Sequence, residues 1–205
     1  MKLFNSIGPN PRVVKMFMAE KGISLPMEEV DLMGGANRQD GYLKKNPAGQ
    51  LPALELDNGQ IVSEITAICE YLEEKNPKPS LIGTNAEERV ETRMWTRRVD
   101  LGVCEPLANG FRFSEGLPMF QPRMLCVPEA APGLKAMAQN KIEWFDAQLK
   151  GKQWLAGDRF TLADILFFCF LDFGAAVGQP LNPEYKNIGA WFERVKARPS
   201  AAASA

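Results

Sequence analysis

A chain of 205 residues with 45% apolar residues can bury one large core or two small ones, and its net charge of −1, with the signs interspersed, offers no basic face to a nucleic acid. It contains no histidine, which removes His-based acid–base catalysis, Ser-His-Asp triads and most transition-metal sites together. Cys69, Cys104, Cys126 and Cys169 are widely separated and form no Cys-x-x-Cys pair, so neither a zinc site nor a dithiol motif is encoded and no metal is expected.

The chain starts with strand-like Lys2-Leu3-Phe4-Asn5, without a charged, apolar and cleavable leader, and the expected location is the cytoplasm. The turn Ser6–Asn10 leads into a helix from about Pro11, a residue suited to a first helical position, to Lys21, with Gly22 closing it. Val14, Phe17, Met18 and Lys21 form its mostly apolar face. Met27 to Leu32 reads as the next strand, Gly34-Gly35 breaks the chain, and a helical turn is expected around Gln39–Lys45.

Asn46 to Lys75 packs a turn, a hairpin and a helix start with no slack. Pro52 leads into the strand Ala53–Leu56 and suits an edge, where a missing N–H costs no ladder bond. Asp57-Asn58-Gly59 makes a tight turn and Ile61-Val62 returns. Ser63 is placed to cap a helix carrying Ile65, Ile68, Cys69 and Leu72, which Pro77 stops. The free N–H groups of that helix start suit a carboxylate, and Glu64 suits an ammonium, so a zwitterionic ligand matches the pair; alternatively Ser63 and Glu64 only cap their own helix. The sum is βαβ followed by ββα, a thioredoxin-like arrangement over residues 1–76.

Residues 77–86, with Pro77, Pro79 and Gly83, read as a linker, and 87–205 as an all-helical domain. Helices are expected over Glu87–Cys104, after Pro106, and over about Gly133–Leu149, Leu162–Phe173 and Asn187–Ala197. Ile165–Leu171 is apolar on every side, which in so short a helix marks a bundle centre and not a membrane span. Thr161-x-x-Asp164 is a capping box.

Asn46–Leu72 resembles the glutathione-binding half of the cytosolic glutathione transferases, with pattern NPxGxVPxLxxxxGxxLxESxAIxxYL. Asn46, Pro47, Gly49, Pro52, Leu54, Gly59, Glu64, Ala67, Ile68, Tyr71 and Leu72 fall in register, and Ile65 replaces the family's serine. FTLADI at Phe160–Ile165 and WFERVKARPS at Trp191–Ser200 resemble the same family, so nearly the whole chain is covered. The resemblance implies the glutathione transferase fold, an α/β thioredoxin-like domain plus an all-α domain. It also implies a detoxification enzyme with glutathione as cosubstrate and a hydrophobic electrophile or a disulfide as second substrate. A homodimer is implied as well, with the Ile65–Tyr71 helix facing the partner.

Glutathione chemistry needs the ligand thiol held as thiolate. By the resemblance, Phe4 stands where the tyrosine-type classes carry their hydroxyl and Gly8 where the serine-type classes carry theirs. Asn10 stands opposite the cysteine of beta-like bacterial classes and matches the Asn of the nu-like, disulfide-reducing class. Asn10 is therefore the first candidate to hold the sulfur and Ser6 the second, each weighed against an ordinary turn or capping role. Leu51, before an expected cis-Pro52, matches the residue whose backbone pairs with the cysteinyl group, and Arg38 and Gln50 match positions that reach the glycyl carboxylate. For Arg38 a solvated loop position is the alternative. By the same resemblance, Glu64 and the Ile65 N–H are expected to take the γ-glutamyl end. Trp95, Arg97, Arg98, Leu101, Phe111 and Phe113 are candidates to line the electrophile pocket, with a core position the alternative for Trp95 and the Phe residues and a solvated face the alternative for Arg97-Arg98. The opposing reading is a non-catalytic binding or scaffold protein of the same shape.

Overall fold

In the computed structural model, which describes residues 1–205, β1 (Lys2–Asn5) sits inside a four-stranded sheet ordered β2-β1-β3-β4. After β1, α1 (Pro9–Lys21) buries Val13, Val14, Phe17 and Met18 and ends at Gly22, whose φ of 64° lets its N–H reach back to the Ala19 and Met18 carbonyls. β2 (Met27–Glu29) then lies parallel to β1, with Leu3 opposite Met27. Two parallel neighbouring strands need a crossover between them, and α1 supplies it, which makes a βαβ unit.

A short helix α2 (Asp40–Leu43) follows, then β3 (Ala53–Glu55), antiparallel to β1 with Phe4 opposite Ala53, and β4 (Ile61–Val62), antiparallel to β3. α3 (Ile65–Lys75) buries Ile68, Cys69 and Leu72. The strand behind Pro52 is thus an inner strand and not an edge. Pro52 is accommodated because it precedes the first paired residue, and its bond to Leu51 is cis.

α1 and α3 also share a buried ion pair. Lys21 Nζ donates to Glu73 Oε2 at 2.6 Å and to the Pro79 carbonyl at 2.6 Å, while Ser80 Oγ donates to Glu73 Oε1 at 2.9 Å. Sequence placed Lys21 on an apolar face; its stem does lie there, and its charge is met inside.

The compact units run Met1–Ser80 with Pro199–Ala205, and Leu81–Arg198. Leu81 and Ile82, inside the expected linker, are buried, and the Leu81 carbonyl accepts the Leu162 N–H at 2.9 Å. The helical unit holds α4 (Ala86–Val99), α5 (Glu105–Arg112), α6 (Leu117–Phe120), α7 (Ala131–Leu149), α8 (Leu162–Ala176) and α9 (Lys186–Lys196). Between α4 and α5, Asp100–Cys104 forms a π-helical turn. α8 is buried along most of its length, as its uniform apolarity predicts. Its capping box is complete: the buried Asp164 accepts from Thr161 N, Thr161 Oγ1, Leu155 N and Trp191 Nε1 at 2.9–3.1 Å. Burial pushes its carboxyl up, and these four bonds oppose that. The terminal helix α10 (Pro199–Ala203), expected in the helical half, packs instead on α1, where Ser200 Oγ donates to Glu20 and Arg12 reaches the Ala201 carbonyl. No helix is long and apolar enough to cross a membrane.

Candidate active site

The first turn of α1 differs from the sequence expectation. The helix begins at Pro9, with Gly8 at φ 112° ahead of it and no capping side chain, so Asn10 is its second residue and does not act as an N-cap. The first backbone bond runs from the Arg12 N–H to the Gly8 carbonyl at 3.3 Å. Pro9 and Pro11 have no N–H, so Asn10 carries the only free backbone donor in the turn, and the same residue adds a half-buried side-chain amide. The two prolines concentrate the positive end of the helix on one residue.

Ser6, in contrast, is 6% exposed, and its Oγ donates to the Val30 carbonyl at 2.8 Å. That bond ties the end of β1 to the segment after β2. A hydroxyl has one proton, and this one is committed. Phe4 is wholly buried in a cluster with Val30, Tyr42, Leu51 and Ala53, edge-on to Tyr42 at 5.9 Å.

The start of α3 also departs from its expectation. Ser63 is not the cap: Glu64 occupies that position, and no side chain caps the helix. Ile68 N–H bonds the Glu64 carbonyl at 2.9 Å, which leaves the N–H groups of Ile65, Thr66 and Ala67 open. Neither Ser63 nor Glu64 caps the helix through its side chain. Glu64 is exposed and has φ 71°, the one positive φ outside glycine. Such a backbone costs on the order of 1–3 kcal/mol and clusters at ligand sites.

Arg38 is exposed in a single 3₁₀ turn, Ala36–Arg38, and donates to the Ala48 carbonyl at 3.2 Å. That bond brings its guanidinium to the Asn46–Gln50 turn, beside exposed Gln50 and ahead of buried Leu51 and cis-Pro52. Asn10 lies in the first turn of α1 and Glu64 stands at the N-terminus of α3. Asn37, Tyr42 and Asn46 hold this turn, and of these only Asn46 belongs to the Asn-Pro pattern that the sequence shows. Only the pattern's fixed Asn hinted at it.

Of the pocket candidates, Trp95 is core, 6.1 Å from Trp144 and 6.2 Å from Phe145 between ring centroids. Arg98 stacks over it and Arg97 pairs with Asp100. Phe111 meets Phe120 and Phe173 edge-on, and Leu101 is exposed. A depression of about 540 Å³ lies elsewhere, lined by residues such as Gly22, Ser24, Lys75 and Lys78. It touches none of the candidate groups.

A family model described as the N-terminal domain of glutathione S-transferase matches residues 7–75, and one for the C-terminal domain matches 127–199. Glutathione S-transferase 2 of Saccharomyces cerevisiae is 31% identical over 197 residues, which is 94% of this chain and 84% of the relative. The chain belongs to the glutathione S-transferase family. GstA of Escherichia coli O157:H7 is 32% identical over 97% of this chain and 94% of its own length. The crystal structure of Gtt2 from Saccharomyces cerevisiae superposes with a TM-score of 0.94 at 29% identity, covering all of both chains. The glutathione S-transferase N-terminal match contains Asn10, Arg38, Gln50, Leu51, Pro52, Glu64 and Ile65. It begins one residue after Ser6.

Proposed function

We propose that the chain is a glutathione-dependent enzyme whose Asn10 holds the glutathione sulfur as thiolate, for transfer to an electrophile or for reduction of a disulfide. The observation that carries this is the first turn of α1, where flanking prolines leave Asn10 with the only free backbone N–H and a side-chain amide beside it. Two donors and a helix N-terminus favour an anion, and neither titrates near neutral pH. Glutathione would lie with its γ-glutamyl carboxylate on the open Ile65 N–H and its ammonium on Glu64. Its cysteinyl group would lie along Leu51 ahead of Pro52, and its glycyl carboxylate near Arg38 and Gln50. The missing serine at Ile65 leaves that carboxylate to backbone N–H groups alone.

The test is a pair of assays, conjugation of chlorodinitrobenzene and reduction of hydroxyethyl disulfide, run on wild type and Asn10→Ala. Disulfide reduction is expected to be the faster, and Asn10→Ala to lower both. Rates unchanged in Asn10→Ala would remove that residue from the chemistry. The homodimer belongs to this reading too, and a monomer by sedimentation would count against it.

A further inference from the structure

Three buried side chains converge on two successive carbonyls just ahead of Leu51. Asn37 Nδ2 donates to the Gly49 carbonyl at 2.6 Å. Tyr42 OH and Asn46 Nδ2 both donate to the Gln50 carbonyl, at 2.8 and 2.9 Å, and so fill both of its lone pairs. Asn46 Oδ1 accepts the Ala48 N–H at 3.3 Å, which closes the turn on itself.

Peptide planarity turns these bonds into a directional device. In a trans peptide the C=O and the following N–H point in opposite directions. The cis bonds are Leu51-Pro52 and Lys78-Pro79, so the peptides from Gly49 to Gln50 and from Gln50 to Leu51 are trans. Drawing the Gln50 carbonyl toward Tyr42 and Asn46 therefore turns the Leu51 N–H away from them, and drawing the Gly49 carbonyl toward Asn37 does the same for the Gln50 N–H. Neither N–H has a partner in the chain. An unpaired N–H on a residue as buried as Leu51 is a group awaiting an acceptor.

We infer that Asn37, Tyr42 and Asn46 are positioning residues, a clamp that aims the Gln50 and Leu51 N–H groups at carbonyl oxygens of the bound thiol peptide. This rests on the glutathione reading and adds to it the residues that set the direction of the strand-like pairing. The clamp is rigid because its parts are. The Tyr42 ring is packed against Phe4 within the cluster of Val30, Leu51 and Ala53. Burial raises the Tyr42 phenol above its ordinary value, so it remains a donor at neutral pH. Asn37 is 3% exposed, and its Oδ1 has no partner, so its orientation is set by the bond to Gly49.

Tyr42→Phe removes one hydroxyl and keeps the ring, and Tyr42→Phe/Asn46→Ala empties the Gln50 carbonyl of both donors. Calorimetric titration of the full chain with glutathione is expected to show Kd raised about fivefold in the first and more in the second. Turnover at saturating glutathione should be unchanged, because the contact is the same in ground and transition states. A lowered Tm with unchanged Kd would make the three residues merely structural and overturn the clamp, as would a loss of kcat at constant KM. If wild type binds glutathione and the variants bind as tightly, the clamp alone falls. If wild type shows no binding, the glutathione reading falls and takes the clamp with it.

Discussion

The hydroxyl of Ser6 donates to the carbonyl of Val30 at 2.8 Å, and both groups are buried. The hydroxyl nearest in sequence to the first turn of α1 is therefore a structural tie between the ends of two strands. Ser6→Ala should leave the Val30 carbonyl short of a donor and cost about 1–2 kcal/mol in thermal unfolding. The rate of the folded enzyme should hold in Ser6→Ala, while Asn10→Ala should lose roughly ten- to hundredfold in kcat/KM. The reverse pattern would return the chemistry to Ser6.

Lys21 and Glu73 pair at 2.6 Å with side chains 0% and 5% exposed. Breaking such a pair leaves a buried charge, so Lys21→Met alone should cost about 3–5 kcal/mol by chemical denaturation. Lys21→Met/Glu73→Leu should recover much of that, short of full recovery because Ser80 and the Pro79 carbonyl lose partners as well. A double variant no better than the single would place the stabilisation elsewhere.

Glu64 holds φ 71° at the head of α3. Glu64→Gly relieves that backbone and should raise stability by about 1 kcal/mol while weakening glutathione binding. A raised Tm with loss of affinity would mark the strain as part of the site. Equal affinity would leave Glu64 without a ligand role.

Glu115 is held down to about 2, first by its hydrogen bond from the Lys135 ammonium and then by the Ser114 hydroxyl. A carboxylate whose folded value lies below its ordinary 4.5 adds stability above that value and loses it as pH falls toward about 2. The side chain is half exposed, so the contribution should stay under about 1 kcal/mol. The stability difference between wild type and Lys135→Gln, by urea denaturation, should shrink as pH is lowered from 6 to 3. A constant difference would assign it to packing.

Much of this architecture was readable from local pattern. The βαβ-ββα order, the Gly22 ending of α1 and the Thr161–Asp164 capping box follow from local backbone and capping preferences, whereas the cis bond before Pro52 was expected from the family resemblance alone, since an X-Pro bond by itself favours trans. What sequence could not show depends on the third dimension. Pro52 was read as an edge marker because a missing N–H is harmless there, yet β1 covers that strand, since pairing begins one residue later. Ser63 was read as a cap from residue type, but the cis-Pro hairpin delivers Glu64 to that position in a strained conformation. Lys21 and Glu73, 52 residues apart, meet only because α1 and α3 pack together, and no spacing rule links them. Asn10 was located in the sequence, whereas its standing as the sole free donor required knowing that the helix begins at Pro9.

Calorimetric titration of the wild-type chain with glutathione, with Glu64→Gln as the control, bears most directly on the central claim. Saturable binding at one site per chain is expected, with Kd below the millimolar range and weakened roughly tenfold or more in Glu64→Gln by loss of the charged partner for the ligand ammonium. Absence of binding at millimolar glutathione would contradict it and leave a non-catalytic binding or scaffold role for this member of the family.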